Sequence, residues 1–412
     1  MRMKVAYLNA AASLGGAERS LLHMLTSLRA NAPETSLTLI TAEEGPLLAR
    51  AEALGVRTMV VPMAPVLIRI GESHLPAGSG WNTWLTLGRQ VSPGLPALAG
   101  YVMRLRRTLS QLQPDLIHSK SIKTHLLAGW ARPGRVPVIW HAHDFFGQRP
   151  LSAQLLRHSR HGLVGAIGIS QAVSDDLRGL LPGIPVTTVL NAIDVKEFDR
   201  SDTVPADLDR LAGLPPAAPG TVRVGMIATY ARWKGQDLLL RATARLRAAR
   251  PDLPIRVYIV GGPIYLTQAQ WSREELRALA AGLPHSSDVG FIDFQAETSG
   301  VYKALDVVVH ASTRPEPFGL MIVEAMASGK PVVVTQAGGA AELFTPGVDA
   351  LGFPLGDEPA LATAIERLAS DTALRRQLGE NARRTAETRF DRARLGPQLL
   401  EAYSMFLRLS RR

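Results

Sequence analysis

Short apolar runs recur along the chain, each followed by a loop of small residues and then by apolar positions at helical spacing. "MKVAYLN" (3–9) leads through "AAASLGGAER" into "SLLHMLTSLRA", which reads as strand, glycine loop and helix. The unit repeats. "SLTLIT" (36–41) precedes a helix near 45–54, and "RTMVVPM" (57–63) follows. "DLIHSK" (115–120) precedes the helical "IKTHLLAGWA", and then come "VPVIWHAHD" (136–144), "LVGAIGIS" (163–170) before "QAVSDDLRGLL", and "VTTVLNAID" (186–194). Residues 199–221, rich in Pro, Asp and Ala, interrupt the rhythm and read as a linker. The pattern restarts with "VRVGMIAT" (222–229), a helix from "KGQDLLLRATARLRAARP", "PIRVYIVGG" (254–262), a helix near 272–282 and "DVGFIDF" (288–294). A helix around 297–304, "DVVVHAS" (306–312), a helix after "EPFG", "PVVVTQAGG" (331–339) and "DALGFPL" (349–355) complete it.

Strands alternating with helices imply doubly wound parallel sheets. The expected fold is α/β, with two Rossmann-like domains facing across a cleft: residues 1–198 and residues 222–392. A last helix, about 393–412, is expected to pack back on the first domain. The Gly/Pro-rich stretch 71–100, with Trp81 and Trp84, reads as a surface excursion.

Composition narrows the class. A chain of 412 residues exceeds one ordinary core. There is no cysteine, which removes disulfides and thiolate metal sites. The first residues lack the apolar core of a signal peptide, and no apolar run reaches the ~18–20 residues of a membrane span. A cytoplasmic protein is expected. Residues 1–200 carry 21 Lys+Arg against 13 Asp+Glu, so most of the net charge of +10 sits in the first half. That half is a candidate for peripheral contact with an anionic membrane at its inner face, or with a phosphorylated acceptor. No zinc-finger spacing, aromatic RNA-binding signature or long basic run argues for nucleic acid.

The chemistry concentrates in "RPEPFGLMIVEAMASGKP" (314–331). Pro315 and Pro317 disfavour helix before them. Gly319 lets a ligand approach the backbone, and the apolar helix begins directly after it. The first amides of that helix, around Gly319 to Met321, form an anion site. Glu316 lies in the loop beside it and Glu324 about a turn into the helix. A diphosphate there, with one carboxylate accepting from sugar hydroxyls and the other from ribose hydroxyls, suits a nucleotide-sugar. Lys234 and Arg232 in "TYARWKGQD" follow a strand and offer cations to a leaving diphosphate. Gly15 and Gly16 close a strand-to-helix loop, and Gly338, Gly339 and Glu342 form a second amide cluster. His141 and His143 share one strand face, but hard ligands at matching spacing are missing, so no metal is expected. Backbone near Phe291 and Ile292 is the place expected to read the base. No intact dinucleotide or P-loop fingerprint occurs.

These segments, together with "GGAE", "WKGQDLLLRA" and "LGENARR", resemble family 4 retaining glycosyltransferases over nearly the whole chain. The resemblance implies the GT-B fold. It also implies transfer of a sugar from a nucleotide diphosphate-sugar to a glycan, lipid-linked or small-molecule acceptor, with retention and without metal or other cofactor. Glu316 matches the glutamate at the transferred sugar, and Glu324 the one at the ribose. Phe318, Gly319 and Leu320 match the backbone around the diphosphate. Lys234 matches the phosphate-binding lysine, Gly16 the N-domain loop glycine and His143 the histidine facing the reaction centre. The family's Gly-Arg ahead of the lysine is replaced by Ala228-Thr229, which leaves Arg232 as the substitute cation. A nucleotide-sugar epimerase or hydrolase, and a binder without turnover, are the alternative readings.

Overall fold

The computed structural model describes residues 3–65, 67, 94–198, 202–263, 268–284 and 286–410. The proposed excursion falls largely outside them, Trp81 and Trp84 included. The chain forms two compact units. One comprises Met1–Ile169, Val173–Val189 and Ala393–Arg412; the other Ser170–Ala172 and Leu190–Arg392.

The first unit holds a seven-stranded, wholly parallel sheet in the order β3-β2-β1-β4-β5-β6-β7. Its strands are β1 (Lys4–Leu8), β2 (Ser36–Thr41), β3 (Arg57–Val60), β4 (Leu116–Ser119), β5 (Val138–Ala142), β6 (Leu163–Gly168) and β7 (Val186–Thr188). Helices α1 (Gly16–Asn31), α2 (Pro46–Ala53), α3 (Leu95–Leu112), α4 (Ile122–Ala131), α5 (Pro150–His158) and α6 (Gln171–Leu180) connect them. β4 and β5 are buried throughout, as strands covered on both faces must be, and they open on apolar residues with His118, Ser119 and His141 as buried polar exceptions. Two helices were not expected. α3 falls partly in the glycine- and proline-rich stretch, yet Tyr101, Leu105 and Leu109 repeat every four residues and are buried. α5 starts on Pro150, whose fixed φ suits the first helical position.

The second unit holds a six-stranded parallel sheet in the order β10-β9-β8-β11-β12-β13. The strands are β8 (Val222–Ile227), β9 (Ile255–Val260), β10 (Val289–Ile292), β11 (Val307–His310), β12 (Val332–Thr335) and β13 (Leu351–Phe353). Its helices are α7 (Leu208–Ala212), α8 (Gln236–Ala249), α9 (Arg273–Ala281), α10 (Ser299–Ala304), α11 (Leu320–Ala327), α12 (Glu358–Ser370) and α13 (Thr372–Arg389). Val224, Val309, Val333 and Ile365 lie in its apolar core.

Residues 190–221, read from the sequence as the end of one domain and a linker, belong to the second unit. The reason lies in Asp207 and Asp209. Asp207 caps α7 by accepting from the Arg210 amide. Asp209 is buried and accepts from Arg256 Nη1 at 2.6 Å, Tyr258 Oη at 2.6 Å and the Ala217 amide at 2.9 Å. Burial alone would raise its carboxyl; the Tyr258 hydroxyl, the Ala217 amide and Arg256 overcome that and hold it at about 2. The pair of aspartates is thus a fastening.

The last helix, α14 (Leu395–Leu409), belongs to the first unit. It packs against α1 and β6, where a Cβ on Gly165 would lie 2.3 Å from the Phe406 ring. Among the described residues, no helix is long and apolar enough to cross a membrane.

Candidate functional site

In each sheet the strand order reverses beside the first strand, between β1 and β4 and between β8 and β11. Open parallel sheets bind ligands at the carboxyl ends of the strands flanking such a reversal. In the second unit β8 runs out toward Lys234 and β11 toward Glu316, so topology alone brings these two residues together.

Glu316 is 6% exposed, and Lys234 Nζ donates to both of its carboxylate oxygens at 2.7 Å. Ser312 Oγ donates to Oε2 at 2.8 Å, and His310 Nε2 lies 3.3 Å from the same oxygen and 3.1 Å from Ser312 Oγ. An ionised carboxylate only accepts, so the His310 hydrogen is on Nε2. Its Nδ1 is buried without a partner among the described residues. Burial alone would raise the Glu316 carboxyl. The Lys234 charge, followed by the His310 hydrogen bond, overcomes burial and holds the group well below the usual carboxylate range.

Backbone shape fixes both partners. Lys234 ends a short 3₁₀ turn, Arg232–Lys234, closed by Gly235 at φ +80°. A Cβ on Gly235 would lie 1.9 Å from the Ala311 carbonyl oxygen, so only glycine lets this turn press on the exit of β11. Thr313 donates its amide to the Trp233 carbonyl at 2.7 Å, tying the same two loops.

Beyond Glu316, Gly319 caps α11 in the left-handed region at φ 97°, and the helix follows at once. The amides of Gly319, Leu320 and Met321 have no acceptor among the described residues, as a helix start leaves them. Phe318 is buried edge-on to Phe390, so its backbone rather than its ring borders the loop. Glu324 lies on α11, where Tyr302 donates to Oε2 at 2.8 Å.

Three expectations need correcting. Arg232 is committed elsewhere: it pairs with Glu275 at 2.6 Å, donates to the Gln268 carbonyl at 2.9 Å and lies over the Trp271 ring. The Gly339 amide is already given to the Glu316 carbonyl at 2.7 Å. Gly338 and Gly339 instead serve close packing, since added Cβ atoms would lie 2.6 Å from the Glu316 and 2.1 Å from the Pro317 carbonyl oxygens. At Gly15 the amide donates to Glu18 Oε2 at 3.2 Å, so this loop already holds a carboxylate. Gly16 begins α1 behind it. Phe291 is a buried side chain of β10.

At the carboxyl end of the first sheet, His143 has a buried Nε2 without an acceptor among the described residues. Its pKa is pushed well below the ordinary value by burial, then by the Lys120 charge. Lys120 itself is 3% exposed; burial lowers it to about 7. Its Nζ donates to the Ala17 carbonyl at 3.2 Å. Among the described residues no three His, Asp or Glu side chains group as a metal site would require. Sequence reasoning missed His310, Ser312, Tyr302 and Lys120. The first two had a signal, polar residues closing the apolar run "VVVHAS". Tyr302 had none.

Both halves of the chain fit known family descriptions: "Glycosyltransferase Family 4" over residues 14–197 and "Glycosyl transferases group 1" over 216–385. The D-inositol 3-phosphate glycosyltransferase of Rhodococcus erythropolis is 32% identical over 323 residues, which cover 74% of this chain and 72% of that protein. The enzyme of that name from Corynebacterium urealyticum is 33% identical over 222 residues, 53% of this chain and 50% of that one. Against it and its Corynebacterium kroppenstedtii counterpart, the chain spans about half the length of the curated relatives it matches. Anabaena HepE, solved in complex with UDP and glucose, superposes with a TM-score of 0.76 at 25% identity, covering 98% of this chain and 99% of that one. Sucrose-phosphate synthase from Thermosynechococcus elongatus shares the fold, with a TM-score of 0.74 at 19% identity and coverage of 98% and 99%. The two parallel-sheet units are those of the GT-B fold. The chain belongs to the family 4 glycosyltransferases.

Proposed function

We propose that the chain is a retaining glycosyltransferase that moves a sugar from a nucleoside diphosphate-sugar to a hydroxyl of a glycan, lipid-linked or small-molecule acceptor without a metal. The observation that carries this reading is the buried Lys234–Glu316 pair beside the open amides of α11. It sets one cation and several N–H donors where a diphosphate fits, and a fixed anion where a sugar hydroxyl donates. HepE, whose structure holds UDP and glucose, supports a uridine nucleotide as the first donor to test. The relatives' inositol phosphate acceptor supports a polyol as the first acceptor.

In this reading the bond from the sugar's anomeric carbon to the diphosphate breaks. The acceptor oxygen bonds to the same carbon on the same face, and its proton passes to the departing phosphate oxygen. Lys234 and the α11 amides offset the charge that grows on the leaving group. Glu316, ionised at neutral pH, orients the sugar; Glu324 accepts from the ribose. A thermal-shift screen of uridine, guanosine and adenosine diphosphates tests the donor site, since a ligand selective for the folded state raises its stability. Glu316→Ala should lower turnover by about a hundredfold or more, measured on protein verified as folded because loss of the Lys234 partner also destabilises the second unit; near-normal turnover would refute the role given to Glu316.

Arg232 favours a second reading. With its guanidinium held by Glu275, Lys234 is left as the cation beside Glu316, as in a binder without turnover. Calorimetric binding of a nucleotide-sugar with neither transfer nor hydrolysis would select that reading. Epimerised donor, or hydrolysis without acceptor, would select an epimerase or hydrolase.

A further inference from the structure

Within the first unit a chain of hydrogen bonds runs through the interior. Tyr7 and His118 are register partners on β1 and β4, so they face the same side of the sheet. His118 is partnered by Ile139, which places His141, two residues on along β5, on that side as well. Tyr403 reaches the same face from α14. The Tyr7 and Tyr403 hydroxyls are 2.7 Å apart, Tyr403 Oη is 2.7 Å from His118 Nδ1, and His118 Nε2 is 3.2 Å from His141 Nδ1. Tyr7, His118 and Tyr403 are wholly buried and His141 is 2% exposed.

The hydrogens can be counted. Two neutral tyrosines and two neutral histidines carry one polar hydrogen each, four in all, and the chain has three links. One hydrogen is therefore surplus and must emerge at the Tyr7 hydroxyl, the Tyr403 hydroxyl or His141 Nε2. Burial holds both histidines well below the ordinary imidazole range, so the count stands at neutral pH. The three places are not equivalent. Neither phenol has a further partner among the described residues, and a phenol O–H, the stronger donor, loses more when left without an acceptor. His141 Nε2 also lacks a partner there, but it lies at the carboxyl end of β5 beside His143, with ring centroids 4.7 Å apart. That is the end of a parallel sheet where ligands bind.

We propose that the surplus hydrogen emerges at His141 Nε2, which donates to a hydroxyl oxygen of a sugar substrate bound at the carboxyl end of the first sheet, with His118 and Tyr403 as positioning residues behind it. The substrate clause rests on the glycosyltransferase reading; the placement of the hydrogen does not. All hydrogens then point one way: Tyr7 donates to Tyr403, Tyr403 to His118 Nδ1, His118 Nε2 to His141 Nδ1. Two variants separate the positioning role from packing. Tyr7→Phe leaves a phenol, Tyr403, at the far end, so the bias toward His141 Nε2–H persists. Tyr403→Phe leaves His118 Nδ1 as the far end. The choice is then between two imidazole nitrogens of similar donor strength, and the His141 hydrogen spreads over both of its nitrogens.

Long-range nitrogen–proton correlation spectra of the full chain labelled with ¹⁵N-histidine read this directly, with His141 assigned by its absence in His141→Phe. The expected result is a neutral His141 bearing its hydrogen on Nε2 in the wild type and in Tyr7→Phe, and a mixture in Tyr403→Phe. A wild-type hydrogen on Nδ1, or an unmixed Nε2–H signal in a folded Tyr403→Phe, would overturn the placement. For the substrate clause, kcat/KM with a nucleotide-sugar that the wild type turns over should fall about tenfold or more in His141→Phe at an unchanged melt; an unchanged value would overturn that clause. The tautomer is read without turnover, so failure to find any activity bears on the function alone.

Discussion

Removing the cation from the Lys234–Glu316 pair tests the electrostatics of the second unit most directly. Lys234→Met keeps the length of the side chain and deletes its charge. The pair is tight, 2.7 Å to each oxygen, and poorly solvated, with side-chain exposures of 19% and 8%. Breaking such a pair from one side costs about 3–5 kcal/mol, because a buried charge is left uncompensated. Ser312 and His310 remain as donors to Glu316, so the lower end applies, ~3 kcal/mol, or roughly a hundredfold in an opening equilibrium. The effect also carries a pH signature. The ordinary value of the Glu316 carboxyl is 4.5, and folding holds it well below that. Its stabilisation is therefore complete above pH 4.5 and is lost as pH falls through the folded value. In Lys234→Met the largest lowering influence is gone, so the folded value rises and the variant gains less from ionisation. The gap between the two proteins should be widest at pH 7 and narrower at pH 4. Native-state hydrogen exchange of β11 and β12 amides measures it within the second unit alone, where a whole-chain melt would mix two units. Equal protection at pH 7, or a gap as wide at pH 4, would refute the assignment. Adding Glu316→Gln to the variant should recover most of the loss, since no buried charge then remains.

Gly235→Ala should destabilise the second unit by at least ~2 kcal/mol in native-state hydrogen exchange of its β8 and β11 amides, because φ is +80° and the new Cβ meets the Ala311 carbonyl. Asp209→Asn should cost ~3 kcal/mol and open residues 202–221 to proteolysis, since the Arg256 guanidinium, buried like its partner, would lose its anion. Lys120→Met should stabilise the first unit. Burial lowers the lysine from 10.5 to about 7, so below pH 7 the folded state carries a charge it solvates poorly, and the penalty fades between pH 7 and 10.5. Urea unfolding at pH 6 should show a gain of ~2–5 kcal/mol that shrinks by pH 9; a loss at pH 6 would mean that its contacts outweigh its desolvation.

The fold was legible because strands covered on both faces are mostly apolar, and β4, β5, β11 and β12 announce themselves as "LIHS", "VIWHA", "VVVH" and "VVVT". α3 was not, because the Pro and Gly at its start hid a buried face spaced by four. The place of 190–221 was not legible either: what fixes Asp209 is Arg256 and Tyr258, and nothing local marks a partner 47 or 49 residues away. Of the site, Glu316 could be found from its own neighbours, the prolines and the glycine. Its pairing with Lys234, 82 positions earlier, is a property of strand order and not of any motif. The same holds for Tyr403 and His118, 285 positions apart.

That pairing constrains how Glu316 would serve a sugar in the proposed reaction. A carboxylate offers about four lone-pair sites. Lys234 takes one on each oxygen, and Ser312 and His310 share Oε2. Oε2 is thus filled, whereas Oε1 carries Lys234 alone, so a sugar hydroxyl gains full access to Oε1 when the lysine moves aside. Ser312 and His310 are buried beneath the carboxylate and hold each other, so neither leaves without stranding a polar group. Lys234 is the one with an alternative, since its ammonium carries three N–H groups and a diphosphate beside α11 would compete for them. Donor binding should then move the lysine's hydrogen bonds from Oε1 toward phosphate oxygen and free Oε1 for the sugar. A nucleoside monophosphate, which lacks the second phosphate, should leave the Glu316–Lys234 pair closed. The Lys234 side-chain resonances, followed by NMR, should therefore shift on adding a diphosphate and stay put with the monophosphate of the same base. Identical shifts with the two nucleotides would show that the exchange does not occur.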